Sequence, residues 1–286
     1  MPMKIAIAQI APKLGDVEAN LDLHLDVLEK AKRQKAGLVV FPELSLTGYT
    51  LKDLVEEVAL DPAADPRFRR LAARTRGISA VVGFVEESPS ERGLFYNAAA
   101  FVSGGRIVHV HRKVFLPTGG MFEEAKFFAQ GRDFRAFDAP FGRAGLLVCR
   151  DFLQLGSSYA HYAAGAEVII CVSAAPGRGV GGGDAFETGR MWELMGEAVS
   201  FFSTAYVVYA NRAGSEDGVT FAGGSFVFAP GGRLVVRASS VDPDLVFCSI
   251  DPAAVAKARR NWLFKRDEKP EAVWRSLERI VRASED

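Results

Sequence analysis

Apolar positions in this chain follow two rhythms. Short β-branched runs such as Ile5-Ala6-Ile7-Ala8, Leu38-Val39-Val40 and Leu146-Leu147-Val148 are apolar throughout, the pattern of strands covered on both faces. Runs of this kind predict strands over residues 5–10, 38–41, 80–86, 98–103, 144–149, 168–172, 206–210, 225–229, 233–236 and 245–250. Residues 106–111 alternate instead, with Ile107, Val108 and Val110 set among Arg106, His109 and His111, which predicts a strand with one wetter face. Between the strands, Leu21, Leu25 and Leu28 recur at helical spacing within 20–35, with Gly37 as a stop. Met191, Leu194, Met195 and Val199 do the same within 184–203, and residues 152–164 and 272–283 are further predicted helices.

Strands alternating with helices predict α/β layers. Two glycine pairs, Gly104-Gly105 and Gly231-Gly232, supply the positive φ of tight hairpins between strand signals. The halves of the chain therefore look alike, which predicts two sheets packed face to face, flanked by helices, with an internal pseudo-repeat. No low-complexity linker divides them. The expectation is one domain over 1–286, with a helical extension from about residue 252.

Composition narrows the function classes. Lysine plus arginine equals aspartate plus glutamate at 35 each, so the basic surplus of a nucleic-acid binder or a membrane-docking face is missing. No run approaches the roughly 18 apolar residues of a membrane span, and the N-terminus enters a strand without the pattern of a secretion signal. Three widely spaced cysteines make neither a disulfide framework nor a zinc site. A reduced, cytoplasmic protein is expected.

Three strands end on reactive side chains, where a sheet fixes the backbone and the next loop exposes the group. Phe41-Pro42-Glu43 delivers a carboxylate, His111-Arg112-Lys113 an ammonium, and Val148-Cys149-Arg150-Asp151 a thiol. Each alone reads more readily as a surface carboxylate, a loop cation or a small buried hydrophobe. Cys171 and Cys248, inside apolar runs, read as inert. Asp151 reads as the holder of the turn after the strand. His109 and His111 share a strand face but lack the partners of a metal site, and none is expected. The loop at Gly177–Gly183 lacks the ending of a phosphate cradle and reads as a connector or as a lid.

Taken together, these segments resemble the nitrilase superfamily of carbon–nitrogen hydrolases, from Lys4 to about Asp251. Within it, residues 41–49 and 113–118, with 121–124 and the region 211–225, look most like the glutaminase domain of glutamine-dependent NAD synthetases. The resemblance implies a four-layer α-β-β-α sandwich that usually dimerises, and a Glu43–Lys113–Cys149 triad. Such a triad cleaves a small amide through a cysteine thioester and releases ammonia, with no cofactor or metal. It implies that Glu124 lies near the triad, although Glu123-Glu124 also reads as an exposed helix start. It further implies that the backbone N–H of Arg150 helps bind the anionic intermediate, and that Tyr49, Phe122 and Ala175 line the substrate pocket. A helix starting near Phe152 is expected to lower the thiol pKa. The chain departs from the glutaminase pattern at Gly119, at Ala175 and at Arg150, positions that bear on substrate choice. Arg150 and Arg178 are the cations available for a substrate carboxylate. Other members of the superfamily keep alternatives open: a nitrilase, an N-carbamoyl amidohydrolase, a glutaminase subunit feeding ammonia to a partner, or a non-catalytic relative. A second nucleotide-binding domain is not expected, so NAD synthesis by this chain alone is not expected either.

Overall fold

The computed structural model describes residues 2–179 and 186–284. The first half of the chain forms β1 (Met3–Gln9), helix α1 (Val17–Arg33), β2 (Leu38–Val40), helices α2 (Val55–Val58) and α3 (Pro66–Ala73), then β3 (Ser79–Glu87), β4 (Phe95–Ser103) and β5 (Arg106–Arg112). The second half forms β6 (Phe137–Ala139), β7 (Gly142–Val148), helix α4 (Leu155–Ala163), β8 (Val168–Ser173), helix α5 (Glu187–Ser203) and β9 (Tyr206–Asn211). A small hairpin, β10 (Ser215–Glu216) and β11 (Val219–Thr220), precedes β12 (Phe226–Ala229), β13 (Arg233–Arg237) and β14 (Asp244–Ile250). Helices α6 (Pro252–Asn261), α7 (Phe264–Asp267) and α8 (Pro270–Ala283) follow.

Among the described residues the longer strands form two six-stranded sheets, in the orders β14-β1-β2-β3-β4-β5 and β13-β12-β9-β8-β7-β6. The two halves repeat one plan. Strands β1, β2 and β3 are parallel and continue into the β4–β5 hairpin; β7, β8 and β9 are parallel and continue into the β12–β13 hairpin. Gly104 and Gly105 take φ of 62° and 83°, and Gly231 and Gly232 take 92° and 83°, values that side chains rarely adopt.

Side chains alternate across a strand, so each sheet buries two apolar faces. Ile5, Ile7, Val40 and Phe101 of one sheet meet Leu146, Val148, Ile170 and Val208 of the other in the central core. On the outer face of the first sheet, Leu21, Leu25 and Leu28 of α1 and Phe68 of α3 pack on Val39, Val82 and Phe84. Outside the second sheet, Trp192 of α5 packs on Ile169, Cys171 and Tyr209. The layer order is helix, sheet, sheet, helix, as in the four-layer sandwich.

Local differences have local causes. Helix α1 begins at Val17, earlier than expected, because the Asp16 carboxylate accepts the Ala19 N–H as a cap. The expected helix over 152–164 is split: a 3₁₀ turn covers Cys149–Leu153, and α4 starts only at Leu155 because Gln154 is extended. Helix α3 was not expected, although Asp65 caps it and Pro66 opens it. No helix among the described residues is long and apolar enough to cross a membrane.

Candidate active site

Glu43 is set by the backbone around it. The Phe41 N–H continues the β2–β3 ladder to Val81 O at 2.9 Å, and Leu44 then turns with φ 47°. The turn crosses Gly83 so closely that a Cβ there would overlap Leu44 N and Pro42 O. This buries the Glu43 carboxylate almost completely. Its Oε1 accepts from Lys113 Nζ at 2.7 Å and Asn97 Nδ2 at 2.8 Å, and its Oε2 accepts the Ala174 N–H at 2.7 Å.

Lys113 lies one residue beyond β5, its N–H on Asn97 O and its carbonyl on the Gly131 N–H, both at 2.8 Å. The ammonium is 0% exposed and bridges Glu43 Oε1 at 2.7 Å and Glu124 Oε1 at 2.8 Å. Burial pulls the Lys113 pKa down, but the Glu124 and Glu43 charges outweigh it and hold the pKa above the ordinary lysine value. Glu124 is thus no exposed helix-start acid. It is buried in a short 3₁₀ turn, Glu124–Lys126, and its Oε1 also accepts from Tyr49 OH at 2.6 Å. Burial, with the Glu43 charge, pushes the Glu124 carboxyl up against the pull of Lys113.

Cys149 follows β7 with φ 46°, a left-handed value that turns the chain sharply into the 3₁₀ turn. Its Sγ accepts from Ser173 Oγ at 3.3 Å. Ser173 is the chain neighbour of Ala174, whose N–H holds Glu43, so thiol and carboxylate touch adjacent residues at the end of β8. The thiol lines a cavity of about 630 Å³, together with Phe122, Arg150, Ala175, Arg178 and Trp192. Burial first, then the Glu43 charge, pushes the Cys149 thiol up, with Lys113 pulling the other way. The expected lowering by a helix end near Phe152 is therefore overturned. The α-helix starts at Leu155, and the burial of a half-buried thiol beside the Glu43 charge favours its neutral form.

The profile of the family described as carbon–nitrogen hydrolase matches residues 4–260. The chain belongs to the carbon–nitrogen hydrolase family. It is 28% identical over 250 residues to the glutamine-dependent NAD(+) synthetase of Acinetobacter baylyi, covering 87% of this chain and 44% of that protein. It thus spans about half the length of the NAD synthetases it matches. A probable nitrilase of Schizosaccharomyces pombe is 25% identical over 285 residues, covering 97% of this chain and 99% of that one. Among solved structures, a Glu-to-Gln mutant of the amidase from Nesterenkonia sp. AN1 superposes with a TM-score of 0.77 at 26% identity, covering 96% of each chain. That protein carries the acetamide moiety of fluoroacetamide, added covalently at its active-site cysteine.

Against this family background, the remaining expected positions fall in different places. Phe122, Ala175, Arg150 and Arg178 line the cavity of this hydrolase, and the Arg178 guanidinium lies 5.3 Å from the Phe122 ring centre. Tyr49 lies behind the cavity wall, as do Glu43, Lys113 and Glu124. Its hydroxyl is spent on Glu124, and its ring stands edge-on to Phe221 at 5.9 Å. From residue 180, the loop read as connector or lid lies outside the described residues. Cys171 is fully buried, as its apolar strand implies, whereas Cys248, expected to be buried too, is only half-buried on β14.

Sequence reasoning missed four contributors. Ser173 touches Cys149 directly, and Asn97 touches both Glu43 and Lys113. Arg212 and Glu216, a buried pair at 2.5 Å, support Tyr49 from behind, for Glu216 Oε1 accepts the N–H groups of Tyr49 and Thr50 at 2.9 and 2.7 Å. The available signal was polarity out of place: Asn97 interrupts an apolar strand, and a buried amide needs partners.

Proposed function

We propose that this hydrolase cleaves the C–N bond of a small amide through a thioester on Cys149. Glu43 takes the thiol proton as sulfur attacks the carbonyl carbon. Lys113, with the Arg150 N–H, stabilises the charge that gathers on the carbonyl oxygen. The first N–H groups of a helical turn lack acceptors within it, which leaves that of Arg150 for a ligand. Glu43 then passes the proton to the departing nitrogen, the C–N bond breaks and ammonia leaves. Water adds hydroxide to the acyl carbon and returns a proton to sulfur by way of Glu43, releasing the acid. A thiol held neutral at rest fits this order, in which deprotonation accompanies attack.

The observation that carries the reading is the wholly buried Lys113 ammonium, clamped between two carboxylates, one of which reaches the residue beside the thiol's own partner. Burying charge costs several kcal/mol per ion, and a scaffold has cheaper ways to fill the space. The amidase of Nesterenkonia, whose active-site cysteine takes up the acetamide moiety of fluoroacetamide, supports a nucleophilic cysteine in this fold. Among the described residues, the only charged groups lining the cavity are Arg150 and Arg178, which suits an amide that carries a carboxylate beyond the reacting carbon. The likeness to NAD synthetases favours a second reading, in which the ammonia feeds a partner enzyme. An ammonia-release screen over amides, nitriles and carbamoyl compounds, run beside Cys149→Ala, tests the proposal. Amide hits that vanish in the variant are expected; equal release by both proteins contradicts the reading.

A further inference from the structure

The reactive thiol and the buried ammonium come from different sheets, at the ends of β7 and β5, and one side chain ties the two ends together. Asp151 is fully buried. Its Oδ1 accepts the N–H of Val114 at 3.0 Å and of Phe115 at 2.9 Å. Its Oδ2 accepts the N–H of Val148 at 3.2 Å and meets His111 Nε2 at 2.8 Å. Three of these four donors bracket Lys113 in the chain, and the fourth immediately precedes Cys149.

We propose that Asp151 and His111 are a positioning pair that sets the placement of the Cys149 thiol relative to the Lys113 ammonium, and with it the rate of the chemical step. The inference rests on the roles proposed above for Cys149 and Lys113. A residue that only held the turn would need the Val148 N–H alone; the other three donors belong to the lysine segment of the opposite sheet. Hydrogen bonds to a carboxylate are shorter and stronger than neutral ones, so this link is stiff. His111 anchors the far side. Its backbone pairs in register with Ala99 of β4, and its buried ring stacks with Phe134 at 5.6 Å. Cys149 needs such support, because a left-handed φ of 46° at a non-glycine residue persists only where its surroundings enforce it. A misplacement of about 1 Å at a reacting group costs on the order of 100-fold in rate.

The test compares His111→Leu, His111→Gln and Asp151→Asn in the full chain. A glutamine amide can still donate to Asp151, and leucine cannot. Two quantities are read: kcat for ammonia release per reactive thiol, and the rate at which iodoacetamide alkylates Cys149, located by mass spectrometry. The pair predicts a loss of about 100-fold in kcat for H111L and D151N with KM nearly unchanged, and alkylation slowed in parallel. H111Q recovers most of both. Should D151N fail to fold, the two histidine variants decide. A folded H111L with parental kcat and alkylation overturns the proposal, as does an H111Q no better than H111L. If the parent releases no ammonia from any compound, yet alkylation falls in H111L and recovers in H111Q, the amidase reading fails and the positioning pair stands.

Discussion

At the scale of single residues, the three strand-end groups were legible because Glu43 and Cys149 end apolar runs and Lys113 ends an alternating one, each beside its own local signature. Their supports were not. Ser173 looks like the polar end of a strand, and Tyr49 reads as a pocket aromatic when its hydroxyl in fact serves Glu124. This difference is testable. Tyr49→Phe keeps the ring and removes one hydrogen bond to a charged acceptor, worth about 1.5–3 kcal/mol. Ammonia-release kinetics should show kcat falling roughly 10-fold or more while KM holds, since one pKa unit's worth of energy is about 1.4 kcal/mol. A change confined to KM would return Tyr49 to the substrate pocket. At the cavity wall, Arg150→Ala and Arg178→Ala should raise KM for carboxylate-bearing amides about 10-fold or more and leave neutral amides unaffected. Equal effects on both substrate classes would remove the arginines from carboxylate recognition.

At the scale of elements, strand and hairpin signals were strong because they rest on continuous apolar runs and on glycine pairs that must take positive φ. The predicted pseudo-repeat of helices and strands closing on a glycine hairpin appears in both halves of the chain. What failed were elements too short to show a period: β6, the β10–β11 hairpin and the 3₁₀ turn at Cys149–Leu153. The split of the helix after Cys149 had no periodic cue, because it rests on the extended backbone of one residue, Gln154. Gly83 shows how an element reaches into the site. It lies within β3, where glycine weakens a strand, and the reason is the Glu43 turn pressed against it. Gly83→Ala should cost about 1–3 kcal/mol by overpacking and lower kcat, because the turn must shift. Urea unfolding together with kinetics checks this; parental stability and kcat would mean that the contact is slack.

At the scale of the whole molecule, packing two sheets between helices removes groups from water that a surface would leave charged. Burial lowers the pKa of His24 and of His161 from 6.5 to about 4. Both folded pKa values lie below the unfolded one, so the stability these residues contribute is complete above about pH 6.5 and is lost as pH falls toward 4. Between those limits each adds about 1.4 kcal/mol per pH unit to the slope. Unfolding titrations at several pH values should show that slope, and His24→Gln should reduce it by about one proton. An unchanged slope in the variant would mean that His24 is charged in the fold.

The same dry interior holds the central claim, that a buried carboxylate and ammonium drive acylation of one particular thiol. The most direct measurement is mass spectrometry of the protein quenched in acid during turnover of an amide substrate. The account predicts one added acyl group, equal to the substrate less ammonia, on Cys149 and absent from Glu43→Gln. An acyl group on Cys171 or Cys248, or turnover with no adduct on any residue while Cys149→Ala remains active, would contradict it.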